Sequence, residues 1–418
     1  MQPVRAVSRS RSPAKARDKD YEVNRSFMSC AANCARAGVK LNHGGPFGAC
    51  VVKNGLVVST SHNTVLMDND PTCHAEMNAV RYACQAMQTH DLSDCELYTT
   101  CEPCPMCWGC IQWSRLNKVY IGADRYTAAK YGFDDKVFYD EVEQHANSFG
   151  LHRFGYYPDS NKDGAKSVTA DDSRKHKNML EVQMGVNREE AEKLFTSQEV
   201  NKTYRRRLGS GTALRKLYED AFSDRASSYD PTPSTSGASG GEKLGLPPIP
   251  VEEATGEEHA EFMRVAIEAA RNAAKQGSSK EREPFGAVVV KDGKVLATAT
   301  NSVLVSRDAT ATAEVNAIRM AAKALGTYDL SSCHIYSTAV PDVMSMAACL
   351  WARVPKVFCG VSQEFALRFG HEEGWLMFQE LMANKRLEDR AIQAVDNVSR
   401  DVCEDVFKYW HGLNGKIY

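Results

Sequence analysis

The 418-residue chain has no run of 18 or more apolar residues, and its N-terminus lacks the short apolar core of a secretory signal. A membrane span and export by the general secretory route are therefore not expected. Nor is one charge in surplus: 51 basic against 53 acidic side chains leave a formal net charge of −2 at pH 7. Whole-chain electrostatics thus give no reason to expect nucleic acid as a partner, although local basic patches remain open. Cysteine is present but not in the dispersed pattern of a small disulfide-stapled domain, since ten of the 14 fall between Cys30 and Cys110. Such clustering points to a reducing compartment and to a bound metal. A cytoplasmic location is expected, with nuclear or mitochondrial delivery left open by the basic N-terminus. The 43% hydrophobic and 25% charged content is ordinary for a folded protein, with room for two or three domains.

What the chain does contain is a duplication. PFGACVVKNGLVVSTSHNTVL, starting at Pro46, matches PFGAVVVKDGKVLATATNSVL, starting at Pro284, at 13 of 21 positions with a constant offset of 238. The same offset pairs Glu76 with Glu314, Trp113 with Trp351, Arg115 with Arg353 and Gly122 with Gly360. Each copy opens with a helical pattern (residues 21–37 and 257–275), followed by two β-rich runs around Asn54-Gly55 or Asp292-Gly293. Those dipeptides suit a two-residue hairpin turn with positive φ. A helix (73–88; 312–325), a strand (95–100; 333–338), a helix (105–116; 343–354) and a strand (118–123; 356–361) follow in each copy. Strands alternating with helices imply a sheet sandwiched between helices.

Five segments are expected. Residues 1–20, rich in Arg, Ser, Lys and Pro, read as a disordered basic tail. Residues 21–158 form a first domain, 159–222 a partly helical insert, 223–250 a flexible linker and 251–418 a second domain. The linker holds 15 Gly, Pro or Ser in 28 residues and spans about 30 Å on average. That reach lets the two copies pack as a pseudo-dimer within one chain, and higher oligomers are compatible with it. Arg205-Arg206-Arg207 in the insert reads as a solvated helix face in preference to an RNA-binding strip.

The chemistry-bearing residues lie in the first copy: Cys73-His74-Ala75-Glu76, then Pro103-Cys104-Pro105-Met106-Cys107. His-x-Glu followed by Pro-Cys-x-x-Cys is the signature of zinc nucleobase deaminases. Cys104 and Cys107 sit three apart at an expected helix start, where they share a face and the helix dipole favours thiolates. With His74 they supply zinc with three ligands and leave a fourth position for water. His74 and Glu76, about 200° apart on a continuing helix, converge only at its first turn, a placement Pro71 supports. Glu76 is the candidate proton shuttle. A redox role for the Cys-x-x-Cys pair competes less well, because it has no need of the His-x-Glu. Cys101 and Cys110 read as small buried packing residues.

In the second copy His74 aligns with Thr312, Cys104 with Asp342 and Cys107 with Ser345, an oxygen set ill suited to zinc. One zinc per chain is therefore expected, and the second copy reads as a metal-free pseudo-domain that keeps Glu314, Phe285 and Asn301.

On Asp70 to Glu76, Cys101 to Cys107 and Gly132-Phe133-Asp134-Asp135, the first copy resembles guanine deaminase of the cytidine-deaminase fold. Wobble-adenosine tRNA deaminases share the zinc motifs but usually lack the Cys at position 101 and the Gly-Phe-Asp-Asp segment. The resemblance implies two α/β/α three-layer domains and hydrolysis of guanine to xanthine and ammonia. Asn63, Phe47, Trp113 and Asp135 would surround the base. A carboxylate there suits the N1–H and amino donors of guanine, and an aromatic ring supplies stacking. The chain end, Phe407 to Tyr418, resembles the family's swapped terminal cap, so Tyr418 is expected to close over the first copy's site, the first copy's own tail having been overwritten from about His145. Two alternatives stay open: guanosine as substrate, or tRNA adenosine-to-inosine editing by an active and an inactive half.

Overall fold

A computed structural model of the protein describes residues 13–116, 118–133, 138–139, 181–183, 257–275, 283–361 and 393–395. In the first copy the order is α1 (Pro13–Lys40), β1 (Gly48–Lys53), β2 (Leu56–His62), α2 (Val65–Asp68), α3 (Ala75–Met87), β3 (Glu96–Cys101), α4 (Pro105–Trp113), β4 (Lys118–Ala123) and α5 (Arg125–Ala129). After β5 (Glu181–Gln183) the second copy repeats it: α6 (Glu257–Lys275), β6 (Gly286–Lys291), β7 (Lys294–Thr300), α7 (Val303–Ser306), α8 (Ala313–Leu325), β8 (Cys333–Ala339), α9 (Val343–Trp351) and β9 (Lys356–Val361). A last strand, β10 (Gln393–Val395), follows.

The expected hairpins are present. Asn54 and Gly55 take φ of 52° and 76°, and Asp292 and Gly293 take 50° and 68°, the left-handed pair that a twisted two-residue β-turn requires. Along β1 the side chains alternate between two helical layers. Cys50 and Val52 pack with Met28, Ala31 and Tyr98 on the α1 side, while Ala49 and Val51 pack with Met77, Val80 and Ile111 on the α3 and α4 side. Each copy is thus a three-layer α/β/α sandwich, as period-two alternation in a doubly covered sheet dictates.

One difference from expectation lies at the N-terminus, where α1 begins at Pro13, inside the stretch read as a disordered tail. Pro at the first helical position and the good helix formers Ala, Lys and Arg after it account for the extension.

The two copies share one core. Trp108, Cys110 and Ile111 of α4 belong to the same buried cluster as Met344, Met346, Ala347 and Leu350 of α9. The helices approach so closely at Gly109 that a Cβ there would stand 2.7 Å from Met344 Cβ, well inside contact distance. Each sheet also borrows its fifth strand: the orders are β10-β4-β3-β1-β2 and β5-β9-β8-β6-β7. β10 runs parallel to β4 with Gln393 opposite Lys118, and β5 runs parallel to β9 with Glu181 opposite Lys356. Lys118 and Lys356 are equivalent, so the two exchanges have one register. This corrects the expectation that the first copy's tail was overwritten: the chain after it still supplies the reciprocal strand, too short at three residues for hydrophobic periodicity to reveal.

Among the described residues no helix is long and apolar enough to cross a membrane.

Candidate metal centre

Two helix starts build the site. His74 is the residue before α3, in extended conformation with φ −69° and ψ 158°, which puts Glu76 in the first turn. Cys104 occupies the same place before α4, with Pro105 at the first helical position, so that Cys107 follows one turn on. The pre-helical residue departs from the helical path, which is how side chains two apart can converge.

Cys104 Sγ and Cys107 Sγ lie 3.6 and 3.7 Å from His74 Nδ1. One donor atom from each of the three residues falls within 4.8 Å of the others, all three residues are buried, and no other such group of three occurs among the described residues. Two sulfurs and one imidazole nitrogen converging in a dry site fit zinc with one open position. Zinc bound there supplies a Lewis acid that lowers the pKa of a coordinated water toward about 7.

Glu76 stands beside this set. Its Oε1 accepts a hydrogen bond from Thr99 Oγ1 at 3.0 Å, and its Oε2 accepts from the Cys107 thiol at 3.4 Å. Burial, followed by the nearby Cys104 charge, raises its pKa, against the opposing pull of His74 and Thr99. For Cys104, burial also acts upward, but hydrogen bonding from Cys107 and the charge and hydrogen bond of His74 outweigh it and hold the thiol well below its ordinary value. Cys107 goes the other way, through burial and its Cys104 neighbour.

The loop carrying Cys104 is braced from outside. Tyr139 Oη donates to Pro103 O at 2.7 Å, the Arg125 guanidinium lies 4.4 Å from the Tyr139 ring centre, and Arg125 N donates to Glu102 Oε2 at 3.2 Å.

The equivalent place in the second copy has closed on itself. Thr312 Oγ1 and Ser345 Oγ are 2.9 Å apart. Asp342 caps α9, accepting from Ser345 N at 2.9 Å and Ser345 Oγ at 3.2 Å. Glu314 accepts from Ser337 Oγ at 2.5 Å. Burial and then the Asp342 charge push Glu314 up to about 7. Hydrogen bonding among the oxygens satisfies them without a cation.

Of the base-binding candidates, Asn63 directly follows β2 with its Oδ1 accepting from Val65 N at 3.2 Å. Phe47 directly precedes β1 and meets Phe133 edge-on, ring centres 4.9 Å apart. Trp113 is placed elsewhere than expected. It ends α4 with its indole near the Asp342 carboxylate of the second copy, where it favours the ionised form without making a regular hydrogen bond. The ring that reaches the metal ligands is its equivalent, Trp351, whose centre is 4.6 Å from that of His74 and 4.2 Å from that of Phe138, with which it stacks. The physical reason is the pairing of α4 with α9, which carries each terminal tryptophan across to the other copy. The constant offset was the signal that could have suggested it, once the copies were taken to face each other. Asp135 and Tyr418 lie outside the described residues. Cys101 and Cys110 are buried in the hydrophobic clusters.

A buried cysteine pair and histidine at two helix starts, with a carboxylate alongside and a helix-flanked sheet beneath, define a zinc-dependent hydrolytic deaminase domain. A family model, the cytidine and deoxycytidylate deaminase zinc-binding region, matches residues 21–123 and again 256–361. The chain belongs to that family, with both copies as members and one candidate metal centre among the described residues. It is 46% identical over 120 residues to the guanine deaminase of Bacillus subtilis, covering 29% of this chain and 77% of that protein. It is 47% identical over 78 residues to the tRNA-specific adenosine deaminase of Aquifex aeolicus, covering 19% of this chain and 52% of that one. Among solved structures, that of guanine deaminase from Bacillus subtilis aligns at 38% identity over 33% of this chain and 96% of its own, with a TM-score of 0.28.

Proposed function

We propose that the first copy hydrolyses guanine to xanthine and ammonia. The reading rests above all on the segment Gly132-Phe133-Asp134-Asp135, which marks the guanine deaminase resemblance. Its Phe133 packs against Phe47, the ring expected to stack on the base. The alignment with the Bacillus subtilis guanine deaminase is longer than that with the Aquifex aeolicus tRNA deaminase, 120 against 78 residues at nearly equal identity, which agrees with it. Trp351, brought by the second copy to 4.6 Å from His74 between ring centres, places an aromatic ring beside the ligands.

In this reading Glu76 takes one proton from the attacking water and gives it to the ring nitrogen as the new C–O bond forms. It then carries the second proton, from the new hydroxyl, to the exocyclic amine, which leaves as ammonia as the C–N bond breaks and the carbonyl forms. Thr99 orients its carboxyl through the 3.0 Å hydrogen bond. Asn63, Phe47 and Asp135 hold the base, Trp351 takes the place first given to Trp113, and Tyr418 closes over it. The chain acts as an intrachain pseudo-dimer in the cytoplasm.

Ammonia release from guanine, guanosine, cytosine and a tRNA anticodon stem tests the assignment. Turnover of free guanine well above the other three is expected. Preference for guanosine or for the anticodon stem would replace guanine with that substrate.

A further inference from the structure

The contact between the copies has a polar centre that the deaminase chemistry does not use. Arg81 on α3 and Arg319 on α8 are equivalent residues, and each side chain is only 17% exposed. Facing them are Asp70 and Asp308, 14% and 12% exposed. Each aspartate first closes its own turn: Asp70 Oδ1 accepts from Thr72 N and Thr72 Oγ1, both at 2.8 Å. Asp308 Oδ1 accepts from Thr310 N at 2.8 Å and Thr310 Oγ1 at 2.7 Å. The remaining oxygens attract the guanidinium groups at longer range, with Arg81 Nε 3.8 Å from Asp308 Oδ2 and Arg319 Nε 3.9 Å from Asp70 Oδ2.

Within this near-symmetric arrangement the two arginines behave differently. Arg319 Nε crosses between the copies to donate to Thr72 Oγ1 at 3.0 Å, while its Nη2 donates to Thr310 Oγ1 in its own copy at 2.8 Å. The hydrogen bonds of Arg81 stay in the first copy, to Asn78 Oδ1 at 3.4 Å and Cys73 Sγ at 3.9 Å. A planar guanidinium offers donors in fixed directions, so Arg319 sets the spacing of the two turns it grips.

Thr72 is the residue held from both sides. Its hydroxyl donates to Asp70 and accepts from Arg319, and it is wholly buried two residues before His74. The next residue is pinned as well, because Cys73 O accepts from Thr64 N at 2.9 Å and from Asn78 Nδ2 at 3.3 Å. The backbone that delivers the imidazole is thereby fixed on one face by its own copy and on the other by Arg319. Taking a guanidinium out of water is costly, and here it secures one defined geometry at a point where geometry governs a metal ligand.

We propose that Arg319 is a positioning residue for the metal centre: acting through Thr72, it holds the turn that presents His74, so the copy without metal ligands sets how tightly the other copy binds zinc. This gives the second copy a part in the chemistry although its own site has no metal set. It holds for whichever base the enzyme takes, because zinc binding is measured without substrate.

The test is zinc affinity of the full chain, measured by competition with a chromogenic chelator, for wild type, Thr72→Val, Arg319→Met, Arg319→Lys and the double variant Thr72→Val/Arg319→Met. Changes to residues that support metal ligands commonly weaken binding 10–100-fold. A loss of about tenfold is expected here, at the low end because the contact acts through Thr72 and not on the imidazole itself. Each single variant should show it, and the double variant should bind no more weakly than either of its parents, as groups in one chain of contacts do. Thr72→Val preserves shape but removes the donor to Asp70 together with the acceptor for Arg319. Arg319→Lys keeps the charge and leaves Thr72 and Asp70 intact but cannot grip both turns, so it carries the test if Arg319→Met does not fold. Wild-type affinity in either folded Arg319 variant or in Thr72→Val, or losses that multiply in the double variant, would overturn the proposal. Unaltered zinc binding in the variants counts against Arg319 alone, whereas absent guanine turnover by the zinc-loaded wild type counts against the substrate assignment alone.

Discussion

Replacing Glu314 by Gln tests whether the second copy is chemically silent. The carboxyl is buried, and its pKa lies at about 7 against an ordinary 4.5, first through burial, then through the Asp342 charge, and in spite of hydrogen bonds from Ser337 and Ser345. Between those two values the folded protein keeps a proton that the unfolded chain releases. Stability therefore falls as pH rises through the window and is lowest once the buried group has ionised. The gap corresponds to about 3 kcal/mol. Glutamine has nearly the same shape, accepts the Ser337 hydrogen bond through its carbonyl and never ionises. Urea unfolding of the zinc-loaded chain from pH 5 to pH 8 should show the two proteins nearly equal at pH 5 and the variant more stable by about 3 kcal/mol at pH 8, with turnover unchanged. Parallel profiles, or a loss of turnover in the variant, would refute the reasoning.

Glu76→Gln should keep zinc and the fold but lose about 10²–10⁴-fold in turnover, because an amide cannot accept the proton; steady-state rates beside metal analysis check it. Truncating either exchanged tryptophan to Ala should lower stability on the order of 3 kcal/mol. Only Trp351→Ala should also lower turnover severely, since that ring meets His74 while Trp113 lies by Asp342. Equal kinetic effects of the two would mean that the exchange has no functional sense.

Much of this was legible in the residues. The hairpins were announced by Asn54-Gly55 and Asp292-Gly293, and the ligand set by a pair of helix-start motifs, because both are local geometry that a short sequence encodes. The exchanges between copies were not. Which copy a tryptophan at the end of α4 serves depends on how α4 lies on α9, a long-range packing fact set by Gly109 and Met344. The borrowed strands β5 and β10 are held by the neighbour's backbone, and at three residues each they carry too little pattern to be read. Nothing local in the sequence marks Arg319, because its partner Thr72 lies 247 residues away.

The central claim is that a duplicated chain has one metal centre, made by His74, Cys104 and Cys107 and no other set. Metal analysis of the purified wild type, Cys104→Ser and the double variant Asp342→Asn/Ser345→Ala tests it most directly. One zinc per chain is predicted in the wild type and in the double variant, and none in Cys104→Ser, with turnover following the metal. Two equivalents in the wild type, or zinc retained by Cys104→Ser but lost from the second-copy variant, would contradict the account.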